Sequence, residues 1–399
     1  MRVVIIGPGR IGCGYLAPLF SEAGWEVVLA ARDAATAERI RRTGRFLVRV
    51  TGTGREHAIC GIHAVAVGTP AFEVEVADVD LVCTAVGVGN VPALGPPLAR
   101  ALAWRREDRP LDVWCVENHA VAPALEAAVW AVARSARLEL PNTGIAGAIA
   151  TVAVSHGDWG GPGVPTFIGD ADRRLLVDGR RTLTGMPPLP GVRLTASYEA
   201  RLREKLYVFN AGHAVAAYLG WLLGHATVAR AVADPFLRPM LVGCLLESRR
   251  ALLAAYPRLG NDLRGPVAAA LSRYADKDLA DPVPRVARDP IRKLGQMDRL
   301  LGPAALIRET TGRVPAYFAL AIAAALLYRH PDDVQAGLLG RHLRRHGVAH
   351  VLADVCGLQP GDPLGAAVAR RYHGFILTPD GVLFPPVHDG SSSQAGLVG

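Results

Sequence analysis

The chain has 399 residues, half of them hydrophobic, 6% aromatic and 20% charged. At roughly 100–200 residues per domain this length implies two or three domains, and the composition excludes disordered or collagen-like sequence for the bulk of the chain. The net charge of +8, from 44 basic and 36 acidic residues, is scattered and forms no basic stripe with interleaved aromatics. It permits nucleic-acid or membrane binding without demanding it, an anionic small molecule explains it equally well, and no nucleic-acid partner is expected.

Arg2–Ile6 is a short β-branched run of the kind found in buried parallel strands. It leads into Gly7-Pro8-Gly9-Arg10-Ile11-Gly12, a G-x-G-x-x-G turn, with Gly14 two residues on. An amphipathic helical stretch runs to Ala23, with Pro18 expected to bend it. Gly24 ends it, and Trp25–Ala31 reads as a second strand. Strand, glycine turn, helix and strand within about thirty residues form a dinucleotide-binding unit. Gly7 allows the tight turn, Gly9 lets backbone approach a pyrophosphate, and Gly12 lets the helix pack close to the strand. Arg10 and Ile11 open the helix whose N-terminus faces the phosphates.

The end of the second strand bears on the choice of dinucleotide. An acidic residue there would hold the ribose 2′-hydroxyl of NAD. The chain instead has Ala31 followed by Arg32, which favours the 2′-phosphate of NADP over NAD. Asp33 either competes for the ribose or caps the next helix.

Val79–Val86 and Asp112–Val116 read as further buried strands. Their C-terminal ends are where a doubly wound sheet places its ligand. Thr84, Val86 and Asn90 are therefore cofactor-binding candidates, and Asn118, after the second of these strands, is a site candidate. Ordinary turn chemistry is the competing reading for both asparagines.

The six cysteines form no C-x-x-C and read as reduced, and no H-E-x-x-H occurs among the twelve histidines. His342 and His346 lie on a basic stretch that reads as a solvated face, so no metal is expected. The opening apolar run is too short for a signal peptide. The apolar stretches 214–224 and 317–328 fall below the ~20 residues of a membrane span. They are expected to be buried helices of a cytoplasmic protein with no membrane contact. The Gly/Ser-rich end of the chain reads as a loose tail.

From about Ser197 the periodicity becomes helical. Residues 198–223 form one long segment or a broken pair, carrying Lys205, Asn210 and His213. At roughly 100° per residue these lie at about 0°, 140° and 80° around the axis, within one broad face. Three polar groups among apolar neighbours are costly to bury without a task. Spacing alone leaves a catalytic face and a solvated face, with a break at Asn210 or Gly212, equally open.

The segments GPGRIGCGYLAPLFSEAGWEVVLAARD, TAVGVGNVPALGP, CVENHA, KLYVFNAGHAVAAYLG and RDPIRKLGQMDRLLGPA occur in that order. Together they resemble the long-chain mannitol dehydrogenase family, and most of all its mannitol-1-phosphate 5-dehydrogenase branch. The resemblance implies an α/β protein with an N-terminal Rossmann domain, a mostly helical C-terminal domain and no catalytic metal. It assigns Lys205 as general acid/base, Asn210 and Asn118 as amides that polarise the reacting oxygen, and His213 as a hydrogen-bonding neighbour. A lysine can exchange the hydroxyl proton if desolvation brings its pKa towards neutrality. The domains are placed at 1–195 and 196–385, followed by a flexible tail, 386–399.

One segment departs from the family pattern. Where relatives carry an Asp-Arg pair beside the substrate cleft, this chain reads Ile145-Ala146-Gly147-Ala148-Ile149-Ala150. The expected substrate is therefore a polyol or ketose, phosphorylated, other than mannitol 1-phosphate itself, with a different phosphosugar or a ketone of specialised metabolism as the alternatives. Arg292 and Lys293 are candidates for its phosphate, with a helix-end ion-pair cluster as the competing reading. Other dehydrogenases of Rossmann-plus-helical build, of the 6-phosphogluconate or hydroxyacyl type, and a non-catalytic NADP-binding regulator are the alternatives. The oligomeric state is left open.

Overall fold

The computed structural model describes residues 1–384 except 156, 158, 162, 185–188, 379 and 380. The anticipated loose tail lies outside the described residues. Two compact units divide the chain, residues 1–202 and 203–399, so the division falls inside a helical stretch and seven residues after the boundary placed from sequence.

In the first unit the strands, in chain order, are β1 (Arg2–Ile6), β2 (Glu26–Ala31), β3 (Arg45–Val50), β4 (Arg55–Cys60), β5 (His63–Ala66), β6 (Leu81–Thr84), β7 (Leu111–Cys115), β8 (Thr143–Ala150), β9 (Val154–Ser155), β10 (Thr166–Gly169), β11 (Leu175–Asp178) and β12 (Val192–Thr195). Eight of them form one sheet in the order β12-β11-β8-β7-β6-β1-β2-β5. The six strands from β8 to β5 are parallel, whereas β11 runs antiparallel to β8. The order reverses between β1 and β6, which makes their C-terminal ends the ligand-binding crevice of a doubly wound sheet.

Alternation along each strand fills both faces. Val3, Ile5, Leu29, Cys83 and Trp114 belong to one buried cluster, and Val4, Ile6, Val28, Val82 and Val113 to the other. This period-two split explains why the strands read as continuous apolar runs. The strand expected over 79–86 is shorter, because Asp80 is spent on the Arg2 amide at 2.8 Å and Gly87 turns with φ +88°.

A smaller sheet, β4-β3-β10-β9, was not anticipated from sequence. It packs on the dinucleotide helix through Gly14, where an added Cβ would lie 2.6 Å from Val154. The helix itself has a π-helical turn over Gly12–Leu16 before α-helical Ala17–Glu22. The expected bend at Pro18 thus takes the form of a change of helical hydrogen-bonding register one turn earlier.

Among its described residues the second unit is helical apart from the short hairpin Ile376–Thr378 and Gly381–Leu383 and a single bridge between Thr227 and Pro282. The helix Ala316–Leu327 is buried over most of its length and packs on helices Ala211–Leu222, Leu237–Ala255 and Pro363–Gly374. An element apolar on all sides must be central. Among the described residues no helix is long and apolar enough to cross a membrane. All six cysteines are free thiols, and Cys60 alone is exposed. Gly347, at φ 78° and ψ 169°, breaks the helical segment Val334–Asp354. His342, His346 and His350 bring their rings within 5.4 Å of one another.

A buried carboxylate ties the chain after β11 to the sheet. Asp112 of β7 accepts hydrogen bonds from the Leu183 and Thr184 amides at 2.9 and 3.0 Å and from the Thr184 hydroxyl at 2.5 Å. Its β8 neighbour must be Gly144, since a Cβ there would lie 2.2 Å from Asp112 Oδ1. Asp112→Ala strands these donors and is expected to cost about 2–3 kcal/mol, read as a lowered urea midpoint with unchanged m-value.

Candidate active site

The glycine turn has the geometry of a phosphate cradle. Gly7 adopts φ +102°, and a Cβ there would meet Ala85 O at 2.5 Å. At Gly12 a Cβ would lie 2.1 Å from Gly7 O, so the helix start packs directly on the turn. Gly9 faces open space, with no atom within 4 Å of an added Cβ. Two crowded glycines thus hold the turn closed around an open one, where a pyrophosphate can reach backbone N–H groups. Arg10 and Ile11, both half-buried, begin the helix.

Two residues not singled out from sequence brace this cradle. Trp159 donates its indole N–H to Pro8 O at 2.9 Å. Glu117, at the end of β7, accepts the Val86 and Gly87 amides at 2.8 and 3.1 Å, fixing the turn after β6. The Val86 amide is therefore spent on protein. Thr84 is fully buried at the end of β6, and Asn90 donates its amide to Val86 O at 2.8 Å. Asn118 is exposed immediately after Glu117.

At the end of β2 the ambiguity over Asp33 resolves locally. Its carboxylate caps the next helix, accepting the Thr36 amide at 2.8 Å and the Thr36 hydroxyl at 3.1 Å. These bonds hold its pKa below the usual carboxylate range. Arg32 beside it is exposed, and Ala31 is buried.

In the second unit, Lys205 and Asn210 bound a π-helical turn, Lys205–Asn210, inserted between the helices Tyr198–Glu204 and Ala211–Leu222. The Ala211 amide bonds to Leu206 O, five residues back. In such a turn residues five apart lie one above the other, as residues four apart do in an α-helix. Lys205 and Asn210 are therefore brought into line, and His213, three residues on in regular helix, continues the same face. Uniform α-helical spacing had spread the first two widely. Both side chains are half-buried. Glu204, the neighbouring acid, is taken by Arg249 at 2.7 Å in a buried pair.

His213 Nε2 lies 3.2 Å from Asp281 Oδ2, and Asp281 also pairs with Arg285. If Nε2–H donates to Asp281, Nδ1 is left as an acceptor. The ring stacks on Tyr274 at 5.2 Å and 8°. Burial, reinforced by Arg285, Arg299, Lys293 and Arg273, pushes the His213 pKa down to about 3, so the imidazole is neutral at physiological pH. Asp281, placed by a Val228 amide bond to its carbonyl at 3.0 Å, was not anticipated from sequence; an acid before Pro282 gave only a turn signal.

Lys293 is 3% exposed and donates its ammonium to Arg288 O. Burial, with Arg299 and Arg292 nearby, holds its pKa well below the ordinary value. Arg292 is 47% exposed and pairs with Asp298 at 3.2 Å. Its backbone amide bonds to Gln335 at 3.0 Å, which lines a cleft of about 550 Å³ with Arg285, Arg288 and His330. Among the described residues no group of three His, Cys, Asp or Glu side chains is arranged to hold a metal ion.

The family model for the mannitol dehydrogenase Rossmann domain matches residues 1–139, and that for the mannitol dehydrogenase C-terminal domain matches residues 196–346. A Brevibacillus brevis mannitol-1-phosphate 5-dehydrogenase is 32% identical over 385 residues, covering 93% of this chain and 97% of that one. The Bacillus licheniformis mannitol-1-phosphate 5-dehydrogenase is 31% identical over 372 residues, covering 90% and 96%. The chain belongs to the mannitol dehydrogenase family. The Pseudomonas fluorescens mannitol 2-dehydrogenase, solved with NAD and D-mannitol, shares the fold with a TM-score of 0.74 at 16% identity, over 94% of this chain and 91% of that one. Membership makes this protein a nicotinamide-dependent oxidoreductase acting on CH–OH groups of polyols or their phosphates.

In this chain the segment lacking the Asp-Arg pair is β8, buried along nearly its whole length. Gly147 lies against the phenol of Tyr198, where a Cβ would approach the hydroxyl to 2.2 Å. The Tyr198 hydroxyl is buried with no hydrogen-bond partner among the described residues, and burial pushes its pKa up. The backbone at Gly147 is thus shaped to this tyrosine.

The depressed His213 pKa has a consequence for stability. Between pH 6.5, near the ordinary value, and about 3, the unfolded chain binds a proton that the folded one refuses. That contribution is present above pH 6.5 and is lost as pH falls through this window. His213→Gln is expected to shrink the drop in urea midpoint between pH 7.5 and pH 4.5; an unchanged drop counts against a neutral, buried imidazole.

Proposed function

We propose that this dehydrogenase interconverts a secondary alcohol and a ketone on a phosphorylated polyol or ketose, with Lys205 as general acid/base and NADP as the preferred cofactor. The observation that most supports this is the π-turn that aligns Lys205 with Asn210 and leads into His213. The bound nicotinamide accepts or supplies the hydride. In the oxidative direction Lys205 Nζ takes the hydroxyl proton, and in reduction it returns it. The Asn210 amide donates to the reacting oxygen, and Asn118 is assigned the second amide; neither ionises. Neutral His213 offers Nδ1 to a substrate hydroxyl.

Gly7, Gly9, Gly12, Arg10 and Ile11 are assigned to the pyrophosphate, with Thr84, Val86 and Asn90 along the same crevice. Arg32 is assigned to the 2′-phosphate, because Asp33 is occupied as a helix cap and Ala31 offers no acceptor for a 2′-hydroxyl. Arg292 is the better placed of the two phosphate candidates, since Lys293 would first have to leave the Arg288 carbonyl. The names of the curated relatives support a hexitol phosphate. Tyr198 against Gly147 favours a pattern of hydroxyls other than that of mannitol 1-phosphate.

Lys205→Ala is expected to leave cofactor affinity nearly intact while lowering turnover ~10²–10⁴-fold and removing one limb of the pH profile. Retained turnover with an unchanged profile would instead make Lys205 structural and end its assignment as acid/base. A panel of ketose phosphates, free ketoses and polyols with both cofactors, followed at the nicotinamide absorbance, addresses the substrate. The expected outcome is NADP(H) preference lost in Arg32→Ala and weaker turnover of mannitol 1-phosphate than of another phosphorylated member. An NADH preference that survives Arg32→Ala would reject the cofactor assignment.

A further inference from the structure

The π-turn that aligns Lys205 with Asn210 is not self-supporting. Widening the ladder from i→i−4 to i→i−5 takes carbonyls out of regular pairing, and a buried carbonyl must find another donor. Two hydroxyls from other helices supply donors at this place. Ser248, fully buried on the helix Leu237–Ala255, donates to Tyr207 O at 2.7 Å. Tyr274, buried at the end of the helix Gly265–Tyr274, places its hydroxyl 2.5 Å from Phe209 O and 3.3 Å from Val208 O.

The His213 amide also points at the Tyr274 oxygen. Phe209 C=O and His213 N–H are the pair an unbroken α-helix would join. The tyrosine hydroxyl enters beside that rung and donates to its carbonyl, Phe209 O. Gly212 makes the entry possible: a Cβ there would lie 2.8 Å from the Tyr274 oxygen and 2.6 Å from Leu245. The same tyrosine ring stacks on the His213 imidazole. One side chain thus touches the backbone at both ends of the segment Phe209–His213 and the plane of its histidine.

We propose that Tyr274, seconded by Ser248, is a positioning residue: its hydroxyl, set into the helical ladder beside Gly212, holds the π-turn that places Lys205, Asn210 and His213 on one face. The proposal rests on the reading of Lys205 as the acid/base and adds the device that aims it. Neither hydroxyl touches substrate; each acts through backbone carbonyls. If the turn reverted to α-helix, Asn210 would rotate away from the Lys205 line. A misplacement of about 1 Å at a reacting group can cost ~10²-fold.

The test is a double-mutant cycle with Tyr274→Phe and Lys205→Ala, measured on the best substrate of the panel. Tyr274→Phe keeps the stacked ring and removes only the hydroxyl. It is expected to lower kcat ~10–10²-fold, shift the pH limb that Lys205 controls and leave cofactor affinity within about twofold. In the Lys205→Ala background the same change should lower kcat little further, because there is no longer a base to aim. Ser248→Ala is expected to reproduce the effect in weaker form, and it carries the test if Tyr274→Phe does not fold. A lowered melting temperature with kcat and pH profile unchanged overturns the positioning role, as does full additivity with Lys205→Ala. If Lys205→Ala itself keeps its turnover, the acid/base reading has failed instead, and that outcome is visible in the single variant.

Discussion

Between Lys205 and Asn210 the helical hydrogen bond spans five residues where four is the rule, and the placement of the polar side chains around it follows from that one widened turn. It aligns two polar side chains that a regular helix would spread apart. It exposes carbonyls that Ser248 and Tyr274 take up. It also imposes glycine at position 212, because the tyrosine that enters the ladder leaves no room for a Cβ. The buried Glu204–Arg249 pair fixes the preceding residue. Breaking such a pair would leave an uncompensated charge, so the helix entering the turn is anchored where Lys205 begins it.

The first unit solves a related problem with glycine. Its dinucleotide helix also opens on a π-turn, and Gly12 is pressed on the carbonyl of Gly7. The loop is held from two further directions, by the Trp159 indole on Pro8 and by the Glu117 carboxylate on the Val86–Gly87 amides. A phosphate cradle made of backbone N–H groups works only if those groups cannot turn aside. The bracing side chains come from elements far away in sequence.

That distance in sequence explains which parts were legible. Parallel strands buried on both faces announce themselves as short apolar runs, and β1, β2, β6 and β7 were read within a few residues of their ends. The glycine spacing carries its own geometry, and the structure adds the atoms each glycine would strike. The apolar segments 214–224 and 317–328 fall in buried helices, as their lack of polar faces implied. The smaller sheet was not legible, because β9 and β10 are only two and four residues long and β3 pairs with β10 across more than a hundred residues. Glu117, Trp159 and Asp281 were missed because a carboxylate or indole in a turn has no local pattern that reveals its partner. The π-turn was invisible for a stricter reason: sequence periodicity was measured with a fixed angle per residue, and the site lies where that angle changes. A break at Asn210 or Gly212 belonged only to the competing reading of a solvated face.

The electrostatics of the second unit complete this picture. Arg273, Arg285, Lys293 and Arg299 all act on His213 to disfavour a further positive charge. Asp281 is shared between His213 and Arg285, and Asp298 between Arg292 and Arg299. The acids therefore fix the cations in place more than they cancel their field. A field of that sign keeps the imidazole neutral and free to accept a hydrogen bond. It also stabilises negative charge on an oxygen held nearby, which is the charge that develops when an alcohol loses its proton. Part of the basic excess that the composition showed as scattered is, at this point of the fold, gathered around His213.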